Sequence, residues 1–238
     1  EDGLLFKRRA QEIVALSEKT KRDFIRGNRE LSGEIGIGCG EFRSIQIIAQ
    51  IMKEFKKEHP FVTFQIYSGN SSNIKERIES GILDIGVILD YVDIRKYEYV
   101  RIPLSEEWGV LVREDSPLAA MEYVTPEDIR ELPLIISERS MRDNELADWI
   151  GKKYEDLNIV STYNLMYNAA TMVANGMGVA GCIKPDCRYE GTRFVPARPS
   201  VKNNSVFAWK KALSQSQAVS SFIEFSRIYI KRISSNTT

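Results

Sequence analysis

The chain has 238 residues, of which 43% are hydrophobic, 28% charged and 10% aromatic. That is enough apolar material to bury a sizeable core, and it excludes disordered, collagen-like and disulfide-scaffold proteins. Thirty-three Lys and Arg balance 33 Asp and Glu, which also excludes a body whose whole surface grips a phosphate backbone. Three cysteines cannot all pair and the first residues carry no secretory pattern, so a reducing, cytoplasmic setting is expected. No apolar run approaches the roughly 18 to 20 residues needed to cross a bilayer, so no membrane partner is expected.

The first predicted element is a helix over residues 4–26, where Phe6, Ala10, Ile13, Ser17, Thr20 and Phe24 recur at alternating spacings of four and three. Its seam is narrow and partly polar. Two readings stand: a solvated helix packed on its own domain, or a linker that pairs with a second copy. After Leu31, Ser32 and Gly33 the pattern turns to short apolar runs alternating with helical periods, the signature of an α/β fold with a largely parallel sheet. A strand over 34–39 leads to a helix over 44–57 with Ile45, Ile48, Ile51, Met52 and Phe55 on one face, ended by His59-Pro60. A strand over 61–67, a turn at Gly69-Asn70-Ser71-Ser72, a short helix carrying Ile74 and Ile78, and a buried-type strand over 83–89 complete two β-α-β units.

Two strands are then predicted, over 98–104 and 107–113, after which a second set begins. Thr125-Pro126-Glu127-Asp128 has a hydroxyl cap, proline in the first turn and acids against the dipole, so it starts a helix. A strand over 133–137, a helix over 140–153, a strand over 158–162, a helix over 165–175 and a strand over 178–183 repeat the rhythm. A late strand over 205–209 precedes a final helix over 217–232 that buries Val219, Phe222, Ile223, Ser226 and Ile230. Two α/β sets of similar length predict two lobes with a cleft.

Catalytic constellations are scarce. The one histidine, His59, sits beside Pro60 at a helix end and reads as structural, and neither a nucleophile elbow nor a phosphate loop occurs. Gly36-Ile37-Gly38-Cys39-Gly40 opens like a dinucleotide fingerprint but has Glu41 where the last glycine belongs. Residues 176–181 match G-x-G-x-x-G, yet they lie after a helix and before a strand, the reverse of the order that presents amides to a pyrophosphate. Cys182 and Cys187 lack the histidines or second cysteine pair of a zinc site. No catalytic residue, metal or cofactor is therefore assigned. What remains is a set of polar strand-to-helix corners whose helix amides can hold an anion or carbonyl oxygen. They are Cys39, Gly40, Glu41 and Phe42; Gly69, Asn70 and Ser71; Leu89 at the end of its strand; Arg139, Ser140 and Met141; and Tyr163 with Asn164. In two facing lobes these corners converge on a cleft for a small ligand.

The strings Ser32-Gly33-Glu34-Ile35-Gly36-Ile37-Gly38, Phe55-Lys56-Lys57-Glu58-His59-Pro60, Ile66-Tyr67-Ser68-Gly69-Asn70 and Gly81-Ile82-Leu83-Asp84-Ile85-Gly86-Val87 resemble LysR-type transcriptional regulators. The match continues in order through Leu111-Val112-Arg113-Glu114-Asp115-Ser116-Pro117-Leu118, Thr125-Pro126-Glu127-Asp128 with Leu132-Pro133-Leu134-Ile135, and Val173-Ala174-Asn175-Gly176-Met177-Gly178-Val179. The resemblance implies a linker or dimerisation helix over 1–30 and a two-lobed effector domain of the type 2 periplasmic-binding-protein architecture. Lobe I would be 33–107 plus 209–232 and lobe II 108–208. It further implies a homodimer or homotetramer, a small-molecule effector, and promoter DNA contacted through a winged helix-turn-helix that this sequence does not include. One departure bears on the effector: many relatives have Ser or Thr in the loop after the first strand, where this chain has Gly40-Glu41-Phe42-Arg43. A carboxylate there disfavours a simple anion unless Arg43 or Arg139 offsets it, and points to an amine-bearing or zwitterionic metabolite. A solute-binding protein of a transport system is the alternative, and an enzyme built on the same lobes comes third.

Overall fold

In the computed structural model the described residues are 2–24, 31–89, 95–138, 145–211 and 215–235. They divide into two compact units. The first comprises Glu1–Gly40, Ser44–Leu104 and Asn204–Thr238; the second comprises Glu41–Arg43 and Ser105–Asn203. The chain thus changes unit at Leu104/Ser105 and Asn203/Asn204, and the three residues Glu41–Arg43 belong with the second unit although both flanks belong with the first.

The first unit starts with α1 (Asp2–Phe24), followed by β1 (Ser32–Cys39), α2 (Ile45–Glu58), β2 (Phe61–Ser68), α3 (Ser71–Glu79) and β3 (Ile85–Leu89). The first part of β4 (Tyr97–Arg113), most of β9 (Lys202–Lys210) and α7 (Gln217–Ser235) complete it. β1 pairs in parallel with β2 along its full length and with β3 at its carboxyl end, whereas β3 and β9 are antiparallel. Alternation along β1 sorts the faces: Ile35, Ile37 and Cys39 point to one side, Gly36 and Gly38 to the other. On the first side α2 and α7 bury Ile48, Ile51, Phe55, Val219, Phe222 and Ile230. On the second, α3 lies against glycines: a Cβ on Gly38 would come within 2.8 Å of the Ile74 side chain, and one on Gly86 within 2.8 Å of Ile78. The strand glycines of the Gly36-Ile37-Gly38 run thus let a helix seat closely on the sheet. His59 ends α2 with its ring 4.5 Å from Phe55.

In the second unit, β4 pairs antiparallel with β7 (Val179–Ile183) and with β8 (Thr192–Pro196), while β5 (Leu134–Ser137) pairs in parallel with β6 (Ile159–Tyr163) and β7. α6 (Met166–Ala174) covers one face through Met166, Ala169, Ala170 and Val173, packed with Leu111, Ile135, Ala180 and Cys182. On the other face, α4 (Pro126–Ile129) supplies Ile129 and α5 (Glu145–Ile150) supplies Leu146, Ala147 and Ile150, against Val110, Val112, Leu134 and Ile136. No helix among the described residues is long and apolar enough to cross a membrane.

Three expectations are corrected. Residues 97–113 form one strand instead of two, because Ser105 and Glu106 contain no breaker and Glu106 is fully buried. β8 and the 3-10 turns Pro117–Ala120 and Tyr154–Asp156 were not expected. The sheet is less parallel than predicted, since β9, β7 and β8 all make antiparallel pairs. In α1, Phe6 and Ile13 of the seam are exposed in the single chain, while Ala10, Glu12 and Ala15 are half-buried. The region predicted as a helix over 140–153 is described only from residue 145 onward.

Candidate functional site

In the first unit, parallel pairing brings the carboxyl ends of β1, β2 and β3 side by side: Cys39 is registered with Ser68 on one flank and Val87 on the other. The Gly69 amide donates to the Cys39 carbonyl at 3.2 Å, so the two corners are tied together. Cys39 is 3% exposed and its Sγ donates to the Gly40 carbonyl at 3.1 Å, the role of a small buried residue. Asn70 caps α3: its Oδ1 accepts from the Asn73 amide at 2.9 Å and its carbonyl from Ile74 at 3.0 Å. The amides of Ser71 and Ser72, first in the helix, lie outside that capping arrangement. Leu89, at the end of β3, is buried and registered with Ser205 of β9.

The residues before and after this corner were not singled out by sequence. Ser44 Oγ and Ser205 Oγ lie 2.5 Å apart, both fully buried. Ser44 stands at the N-cap position of α2, yet its side chain makes no cap bond there. A serine before a helix reads as a cap, and nothing local marks one whose hydroxyl turns to a strand 161 positions away.

In the second unit the Glu41 carboxylate accepts a hydrogen bond from the Met166 amide at 2.6 Å, at the first residue of α6. Leu165, the N-cap residue, offers no side-chain cap, so Glu41 does what a local Asp or Ser would do and sets its charge on the positive end of the helix. Offset by Arg43 is thus replaced by offset from a helix terminus, and Arg43 pairs instead with Asp186 at 3.9 Å. Phe42 between them is buried. Tyr163 donates its hydroxyl to the Gly181 carbonyl at 2.7 Å, and Asn164 is exposed. Arg139, Ser140 and Met141 lie outside the described residues. Thus Cys39, Gly40, Gly69, Asn70, Ser71 and Leu89 belong to the first unit, and Glu41, Phe42, Tyr163 and Asn164 to the second.

The other motifs resolve as architecture. Gly176 has φ +79° just past α6, and a Cβ on Gly178 would meet the Pro133 carbonyl at 2.3 Å, so these glycines end a helix and admit a close strand. None of the three cysteines forms a disulfide; Cys39 and Cys182 are buried and Cys187 is exposed. Among the described residues no group of three or more His, Cys, Asp or Glu is arranged to hold a metal ion. Burial pushes the Cys182 thiol up to about 12, against a small opposing contribution from the Leu111 backbone. Burial also raises the Tyr189 phenol, with Cys187, Glu41 and Cys182 adding to it.

The Cys182 thiol carries a pH consequence. Its folded-state value lies above the unfolded value of 9.0, so its contribution to stability is complete below pH 9 and declines as the pH rises towards 12. Unfolding free energy should therefore fall by at most about 1.4 kcal/mol between pH 9 and 10 through this group alone. Cys182→Ala should flatten that limb in urea titrations at pH 8, 9 and 10, and an unchanged limb would assign the loss elsewhere.

Residues 28–229 match the family model described as LysR substrate binding domain. An HTH-type transcriptional regulator of Bacillus subtilis, YwqM, is 32% identical over 62% of this chain and 52% of its own length. A second from the same organism, YybE, is 25% identical over 78% of this chain and 63% of its own length. The chain thus spans between half and two thirds of these curated relatives. Among solved structures, the effector binding domain of QuiR in complex with shikimate has a TM-score of 0.72 at 18% identity, covering 85% of this chain and 99% of that one. Full-length CbnR complexed with its target DNA has a TM-score of 0.70 at 18% identity, covering 97% of this chain and 82% of that one. These likenesses establish a shared fold, which in LysR effector-binding domains is the type 2 periplasmic-binding-like fold.

Proposed function

This chain belongs to the LysR substrate-binding domain family, and from that premise we propose that it is the effector-sensing part of a transcriptional regulator. It binds a small metabolite without turning it over, and promoter DNA is read by a part of the protein outside the given sequence. The names of the HTH-type relatives and the DNA complex of one structural neighbour support that assignment. The regulator works as a homodimer or homotetramer in the cytoplasm.

The observation that carries the reading is the family match across both units. The corner geometry gives it chemical content. Effector contacts in the first unit are assigned to Cys39, Gly40, Gly69, Asn70, Ser71 and Leu89, and those in the second to Glu41, Phe42, Tyr163 and Asn164, with Arg139, Ser140 and Met141 completing the set. In the first unit the α3 terminus suits a carboxylate, because the Ser71 and Ser72 amides face its open end. Binding changes transcription only insofar as the effector prefers one arrangement of the regulator over another.

Native mass spectrometry of the purified protein tests the reading. The expected result is a small-molecule adduct that survives gentle ionisation and is released on denaturation. Recovery of a converted product, or no adduct with any candidate metabolite, would overturn it. Ser71→Asp separates binding from folding. A carboxylate in the first turn of α3 favours the helix, so thermal stability should hold or rise, while affinity for an acidic effector should drop by about tenfold through like-charge repulsion. Calorimetric titration of wild type and variant reads both.

A further inference from the structure

We propose that the second unit carries an additional small-molecule site, lined by none of the strand-end corner residues, that takes a small organic anion with an apolar body. It is a depression of about 570 Å3 beside β4 and β8, within the range that holds metabolite-sized ligands. Leu111, buried in the sheet, and Phe194, half-buried beside it, contribute the apolar lining.

The polar lining has one dominant sign. Lys184 and Arg188 stand against a single carboxylate, Glu114. Their existing pairings are weak: Arg188 reaches Glu114 only at 3.9 Å with both side chains largely exposed, and Lys184 reaches Glu107 at 3.4 Å. An incoming carboxylate or sulfonate therefore meets two cationic side chains whose charge is little committed elsewhere. Lys184 Nζ lies 5.9 Å from the Phe194 ring, so the cationic and apolar linings adjoin. A bare inorganic anion would leave the apolar lining wet, and a neutral apolar molecule would leave the cations uncompensated.

The wall is built before any ligand arrives. Thr192 closes a tight turn by donating its amide and its hydroxyl to the Tyr189 carbonyl, at 3.2 and 2.9 Å. Gly191 makes that turn possible with φ +71°, packed close to Ala174. A preformed wall reduces the ordering cost of binding.

Cys187 lines the same depression and is the exposed thiol, while Cys39 and Cys182 are buried. It therefore serves as an internal reporter. We compare alkylation of Cys187 by iodoacetate, which is anionic, and by iodoacetamide, which is neutral, quantified by peptide mass spectrometry. Because both reagents consume the same thiolate, their rate ratio cancels its acidity and reads local charge. Relative to N-acetylcysteine amide, the ratio should favour iodoacetate by about fivefold at low salt. Arg188→Gln, a change at a largely exposed side chain, should lower that preference. Millimolar benzoate should protect Cys187 from iodoacetamide, and benzyl alcohol at the same concentration should not. A reference-like ratio, equal protection by the alcohol, or no protection by benzoate would each overturn the proposal. None of these readouts depends on the strand-end corners binding an effector.

Discussion

Replacing Phe222 with alanine is expected to cost the first unit about 3–5 kcal/mol, the range for deleting a fully buried aromatic side chain. Phe222 projects from α7 with no exposed surface. Its ring centroid is 5.0 Å from both Phe55 of α2 and Phe64 of β2, and 6.1 Å from Phe207 of β9. One ring on α7 thus touches a second helix and two strands, and its loss removes dispersion contacts on every side while leaving a void that rigid neighbours cannot fill. Tilted and edge-to-face contacts add further stabilisation to the area buried. Urea unfolding followed by peptide-resolved hydrogen exchange is the check: amides of β1 and β3 should lose protection by the full amount. A loss below about 1 kcal/mol would mean that the ring is peripheral to the core. Phe222→Leu, which retains most of the volume, should recover a large part of the stability.

That core was legible because periodicity speaks directly about faces. The spacing of Ile48, Ile51 and Phe55, and of Val219, Phe222 and Ile230, picks out the residues the structure buries. The ordered strings also carried family and fold, both of which the comparisons support. What local pattern does not encode is pairing between distant segments. The run Thr192–Val195 between Gly191 and Pro196 has the β-branched and aromatic residues of a strand but is too short to stand out, and what fixes β8 is its registration with β4. Ser105-Glu106 looked like an interval between two strands since a Glu there reads as exposed, yet Glu106 is buried. The same holds at the candidate site. Glu41 was visible as an unusual carboxylate in its loop, whereas its hydrogen bond to Met166, 125 residues later, follows only from the folded chain. The α6 terminus offered one sequence clue: Leu165 is a poor cap, so a substitute from elsewhere was needed.

The Ser44–Ser205 pair yields the second large effect. Ser44→Ala should cost about 1–3 kcal/mol, since it strands the Ser205 hydroxyl in an environment with no exposure to water. Removing both hydroxyls should cost less than the sum of the single changes, with a coupling of about 0.5–3 kcal/mol, because neither partner is then left unsatisfied. Strict additivity in urea titrations of the two single variants and the double would show that the hydroxyls act independently. The pair also has a bearing on sensing. Ser44 starts α2 immediately after the corner that contains Gly40, and Ser205 is registered with Leu89 at the end of β3. One hydrogen bond therefore fixes two proposed effector-contact segments of the first unit relative to each other. In the double variant stability should largely return while that constraint does not, so effector affinity should stay reduced even as the unfolding midpoint recovers. Parallel recovery of affinity and midpoint would instead confine the hydroxyl pair to a folding role.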